Sequence, residues 1–176
     1  QTTKEEILNA FKERIEDKLP KLQDGAIFFS DDPNPLKVPP GDILCAISPQ
    51  DGIFDEAKFA GGGEDTLEEE FDIIFGLYLR TALDKTDQME AAMMGVEDGL
   101  LSRWQLRLLR ALFKDAWIPE KVGDGDVLYE LTAGAPRPVR LIGPKAYQAG
   151  SGGAMFVRMM LVVRVAFDWD LEADEE

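Results

Sequence analysis

Histidine is absent from all 176 residues, and cysteine occurs once, at Cys45. The first absence removes Ser-His-Asp and Cys-His catalysis, histidine general bases and histidine-bearing zinc sites. The second removes an intrachain disulfide and any thiolate metal cluster. Cys45 lies inside the apolar run Ile43–Ile47 and reads as a small buried hydrophobe, as free cysteines usually are. One unpaired cysteine fits a reducing compartment. Long apolar runs are also missing, because Met159–Val163 is closed off by Arg158 and Arg164, so no membrane span is expected. The segment Gln1-Thr2-Thr3-Lys4-Glu5-Glu6 has no basic stretch followed by an apolar one, and no secretory signal is read there. A soluble protein is expected. Basic residues are scarce: 19 against 34 acidic ones leave a net charge of −15. Wrapping duplex DNA by neutralising its phosphates is not expected at that balance. The excess acid serves solubility, or it gives a surface that does not adhere to DNA nearby. Composition does not separate the two.

Short motifs add no chemistry. Gly61-Gly62-Gly63 lacks the lysine and following hydroxyl of a phosphate-binding loop and the spacing of a dinucleotide fingerprint. Asp124-Gly125-Asp126 matches a fragment of a calcium loop, but the remaining ligands and the terminal glutamate are missing, so it reads as a turn. Glu68-Glu69-Glu70 and Asp72 could pair as acid and base, yet they flank an alternating stretch, and a solvated face explains them better. No enzyme, cofactor or metal site is expected.

What the chain does have is alternation. From Met155 to Trp169, fifteen residues, every odd position is apolar, while the even ones include Arg158, Arg164 and Asp168. That is the period of a pleated strand, and it is long against the usual five or six residues, about ten at most. Leu67–Arg80 alternates too, with Phe71, Ile73, Phe75, Leu77 and Leu79 on one side and Glu70, Asp72, Gly76 and Arg80 on the other. Thr3 and Glu6 have capping-box spacing, and Ile7, Leu8, Phe11, Ile15 and Leu19 form one stripe before Pro20, predicting a helix over about 4–19. A second helix is expected from about Asp87 to Phe113, imperfect around Gly95 and Gly99 but strongly amphipathic from Leu100 onwards. Shorter strands are read at Ala26–Ser30, Asp42–Ser48, Val127–Thr132 and Val139–Tyr147, bounded by proline and glycine breaks. A loop is read over 49–66. Gln148–Gly153 reads as a flexible hairpin tip leading into the final strand.

The order α–β–β–β–α–β–β–β, with strands in runs, predicts an α+β fold. Its sheet is expected to be mixed and mainly antiparallel, flanked by two helices, with a long C-terminal β-hairpin. Residues 1–169 form one domain, followed by an acidic tail, 170–176, expected to be disordered. Both helices have a single apolar stripe, so they are expected to cover one sheet face and leave the other free for a partner.

Element order, size and hairpin resemble the tail-terminator family of tailed bacteriophages. The matching features are the helix with Ile7, Leu8, Phe11 and Ile15, the strand Leu67–Arg80, the helix ending Leu108–Phe113, and the hairpin around Gly150–Gly153. The likeness covers nearly the whole chain and rests on pattern rather than a diagnostic motif. It implies a mixed sheet flanked by helices and a six-fold ring on the head-proximal end of the tail tube. Such a ring ends tube polymerisation and joins the tail to the neck. The partners implied are further copies in a homo-hexamer, the tail-tube protein and a connector or stopper protein, with DNA passing through the lumen without specific binding and no membrane. Its place would be the virion, and the host cytoplasm during assembly. Another neck component, such as a head-completion or stopper protein, fits the same pattern. An acidic inhibitor or DNA mimic is a reading from a different class.

The expected subunit interface comprises the hairpin tip Gly150, Ser151, Gly152 and Gly153, with Arg158 and Arg164 on the even face of the last strand. Long strands and a glycine tip can reach a neighbour and pair edge to edge. The two arginines point the same way about 20 Å apart. Their expected partners are Glu68, Glu70 and Asp72, within one subunit or across a boundary.

Overall fold

A computed structural model describes residues 3–22, 25–54, 66–81, 101–114, 136–149 and 155–171. The first helix, α1 (Lys4–Lys18), starts at the expected capping box: Thr3 Oγ1 accepts from the Glu6 amide at 3.3 Å, and Glu6 Oε2 accepts from the Thr3 amide at 2.8 Å. A short 3-10 turn over Pro20–Leu22 ends it. Four strands and a helix follow in the order β1 (Ile27–Phe29), β2 (Ile43–Phe54), β3 (Thr66–Thr81), α2 (Leu101–Phe113), β4 (Arg137–Gln148), and the last strand is β5 (Met155–Asp170). The expected strand Val127–Thr132 and the first part of the second helix, 87–100, lie outside the described residues.

The sheet order is β1-β2-β3-β5-β4. Every pairing is antiparallel except β1 with β2, which is parallel. The fold is therefore α+β with a mixed, mainly antiparallel sheet and a C-terminal β4–β5 hairpin. Two element boundaries differ from the sequence reading by more than one residue. The loop expected from residue 49 begins later, because β2 passes Pro49 through a bulge and stays paired with β3 to Phe54. Likewise β4 begins at Arg137 and runs through Pro138, on a strand paired on one side only among the described residues, with a register shift against β5 between Pro138 and Arg140.

The alternation of β3 and β5 places Phe71, Ile73, Phe75 and Leu77 opposite Val165, Val163, Leu161 and Met159 on one face. Both helices pack there. Ile7, Phe11 and Ile15 of α1 are wholly buried, with Phe11 edge-on to Phe75 at 5.4 Å, and Trp104, Leu108 and Leu112 of α2 complete the layer. Each such side chain contributes roughly 1.5–3 kcal/mol by leaving water. Arg14 Nε donates to the Ala111 carbonyl at 2.9 Å and ties the two helices together.

Cys45 has no exposed surface, and burial pushes its thiol from 9.0 up to about 12. Burial likewise pushes the Tyr78 hydroxyl from 10.0 up to about 12. Both groups hold their protons more tightly when folded, so their contribution is intact below pH 9 and is lost as pH rises from 9 to 12. Unfolding midpoints measured across that window are expected to fall steadily. Alkylation of Cys45 at neutral pH is expected to proceed only at the rate of global unfolding. Rapid labelling of the folded chain would contradict this placement.

Candidate subunit interface

The sheet face opposite the helices has two halves. Over one half lies the β1–β2 connection, residues 30–42, which a parallel pair needs as a crossover. Tyr78, Tyr147 and Phe156 stack edge to face beneath it, with ring centroids 5.6 Å apart in both contacts. Their hydroxyls hold the connection: Tyr78 donates to the Pro33 carbonyl at 3.4 Å and Tyr147 to that of Pro35. Arg80 Nε donates to the Gly41 carbonyl at 2.8 Å, and Ser48 donates to that of Ser30.

Arg158 belongs to this covered half, which corrects its expected placement. Only 9% exposed, it donates from Nη1 to Asn34 Oδ1 at 2.6 Å and lies 4.3 Å over the Tyr147 ring. Among the described residues its partners are an amide oxygen, an aromatic face and the Tyr78 hydroxyl rather than a carboxylate. The physical reason is the crossover, which folds Pro33-Asn34-Pro35 onto this arginine and takes it out of solvent. On the neighbouring strand Gly143, at φ +97°, lets β4 come close: a Cβ there would stand 2.8 Å from the Arg158 carbonyl oxygen.

The other half is open among the described residues. Asp72 and Arg164 face each other across β3 and β5, and the guanidinium reaches both carboxylate oxygens at 2.9 and 3.3 Å. That contact raises the Arg164 pKa further. Glu70 lies 3.9 Å from Arg137 of β4, which is itself in register with Arg164. The expected pairing of Arg164 with an acid of β3 thus occurs within one chain, while Glu70 pairs with an arginine the sequence reading had not singled out. Around these ion pairs lie half-exposed Ile74, Met160, Ile142 and Ala166, with Ile53 65% exposed. An apolar strip crossed by two ion pairs has the mixed character of a protein–protein surface. At the sheet's end Glu68 stands opposite Asp168, with Asp170 opposite Thr66.

Edge pairing through β5 is excluded over most of its length. The strand is interior, bonded to β3 along all of it and to β4 from Met155 to Arg164. Among the described residues the outer edge is β4, and it is blunted by Pro138, Pro144, Arg137, Arg140, Lys145 and two register shifts. The hairpin tip Gly150, Ser151, Gly152 and Gly153 lies outside the described residues.

Among the described residues no group of three or more His, Cys, Asp or Glu side chains could hold a metal ion. No described helix is long and apolar enough to cross a membrane. No protein-family model matches the chain, and no curated protein does.

Proposed function

We propose that the chain is a structural virion protein, a ring-forming subunit at the head-proximal end of a phage tail tube. There it would end tube growth and join the tail to the neck. The observation that carries this reading is the open half of the sheet face, where Ile53, Ile74, Met160 and Ala166 border the Asp72–Arg164 and Glu70–Arg137 pairs. A solitary chain gains nothing from leaving such a strip uncovered, whereas a subunit buries it on association. The α+β architecture, a mixed sheet flanked by helices, is the one the resemblance implies. Excess negative charge suits a lumen through which DNA passes, since like charges repel and no counterions are released on contact.

Light scattering on the purified chain, alone and with tail-tube protein, tests the proposal. Rings or tube-end complexes are expected. Ile53→Arg, at a site 65% exposed, is expected to abolish them while leaving the unfolding midpoint unchanged. A strict monomer that never associates with tube ends overturns the reading.

A further inference from the structure

A copy of the open strip is the wrong cover for the same strip in a ring. A patch that meets itself closes a dimer, whereas a ring needs two different patches whose contact repeats head to tail. The strip's complement therefore lies elsewhere on the chain, and charge identifies it.

The β4 margin of the strip is cationic, against the balance of a chain with net charge −15. Register places Arg137 opposite Arg164, Arg140 opposite Val162, Ile142 opposite Met160 and Lys145 opposite Arg158, so all four lie on the face away from the helices. The strand carries no carboxylate, and none of its 12 residues is buried. Arg137 stands 3.9 Å from Glu70, while among the described residues Arg140 and Lys145 are exposed and have no ion-pair partner. Proline and charge keep a further strand off this edge, yet they leave the row of cations open to carboxylates.

The acidic counterpart lies on the other side of the sheet, on α1. This helix buries Ile7, Phe11 and Ile15 and turns Glu5, Asn9, Glu13 and Asp17 outward, all of them exposed. Its cations are held elsewhere: Lys4 by Glu69, Arg14 by the Ala111 carbonyl and Lys12 by Glu16 at 3.8 Å. Lys18 touches the end of the outward row, 3.8 Å from Asp17. Along the helix, Glu13 lies about 12 Å and Asp17 about 18 Å from Glu5. Arg140 and Lys145 are at most about 16 Å apart along β4. The two spacings agree within the reach of an arginine or lysine side chain.

We infer that the outer side of α1 in one copy, through Glu5, Glu13 and Asp17, lies along the β4 margin of the open strip in the next copy. There the carboxylates meet Arg140 and Lys145, with Ile142 between them. The inference rests on the reading given above, that a subunit covers the strip, and names the second surface. The two surfaces are on opposite sides of a two-layer molecule, so a chain does not satisfy its own, and each copy offers one of each to its neighbours. Elsewhere two copies of net charge −15 repel each other, and unlike charge at this margin fixes the orientation in which they approach. Carboxylates beside a guanidinium and an ammonium also set the register of the contact.

Two measurements test it. In the first, the full chain is treated with a carbodiimide, which joins an amine to a carboxylate in direct contact, and the linked peptides are identified by mass spectrometry. A link from Lys145 to Glu5, Glu13 or Asp17 is expected. The sheet stands between these residues within one chain, so the link forms between copies. In the second, an Arg140→Glu, Lys145→Glu variant and a Glu13→Lys, Asp17→Lys variant are prepared, all at exposed positions. Each alone is expected to associate about tenfold more weakly than the natural chain, with an unchanged unfolding midpoint. Their equimolar mixture should recover, because each then offers the other a complementary pair. Variants that associate like the natural chain, or a mixture that does not recover, overturn the inference. Rings that form without the link leave the functional reading standing and sink this contact alone. The link found in open chains of copies that never close or engage tube ends does the reverse. A chain that never associates overturns both.

Discussion

Arg158→Glu is expected to cost on the order of 3–5 kcal/mol of folding free energy, much of the 5–15 kcal/mol typical of a domain. The wild-type guanidinium makes a hydrogen bond to Asn34 Oδ1 and a cation–π contact with Tyr147, both beneath the crossover. A hydrogen bond from a charged donor contributes about 1.5–3 kcal/mol, and a desolvated cation–π contact about 2. A carboxylate there faces the oxygen of Asn34 instead of donating to it, and it is taken out of water without a partner. Arg158→Met, which keeps much of the stem, should lose only about 2–3 kcal/mol. Urea unfolding reads the difference as a midpoint shift of about 1–2 M for the glutamate variant. A shift below about 0.3 M would mean that the crossover holds itself in place without this arginine. Arg164→Glu, on the open half, exposes no buried group. There the paired charges are half-exposed and contribute up to about 1 kcal/mol.

The contrast between these two arginines shows what was legible in the sequence. Both occupy even positions of one alternating strand, and the period alone makes them equivalent. The signal that separates them lies in their neighbours. Tyr78 and Phe156, bulky aromatics on the nominally polar side of β3 and β5, mark the region that something must cover, and Asp31-Asp32-Pro33-Asn34-Pro35 is the stiff segment that covers it. Reading the segment as turn chemistry placed the break correctly but missed its docking. Local signals did better: the Thr3–Glu6 box, the Ile7-Phe11-Ile15 stripe and the odd face of β5 depend on contacts close in sequence or on a strict period. The bulge that carries β2 past Pro49 depends on a partner strand, and no pattern within residues 49–54 announces it. A cleft between the C-terminal ends of the two helices was hidden for a similar reason, since Lys18 and Arg107 line it together only when two helices distant in sequence pack side by side.

Lys4→Met is expected to destabilise the chain by about 2–4 kcal/mol, although it removes a side chain that is itself 28% exposed. The reason is Glu69. It occupies the helix-facing side of β3, in line with Phe71 and Ile73, where its side chain is only 9% exposed. Lys4 Nζ stands 2.6 Å from one carboxylate oxygen and 2.8 Å from the other, and 4.9 Å from the centre of the Phe71 ring. Space for the carboxylate comes from Gly52 on β2, where a Cβ would fall 2.4 Å from Glu69 Oε1. Removing the ammonium leaves a buried negative charge with no compensation, and that penalty exceeds the value of the pair itself. Glu69→Leu should be milder, about 1 kcal/mol, because the freed lysine can turn its head group to water while its stem stays on Phe71 and Trp169. Combining the two changes should recover most of the loss, since an apolar pair can then pack where the ions stood. A double-mutant cycle measured by chemical denaturation is therefore expected to show 1–3 kcal/mol of coupling. Additive losses in that cycle would mean that water, rather than Lys4, neutralises Glu69 in the folded chain.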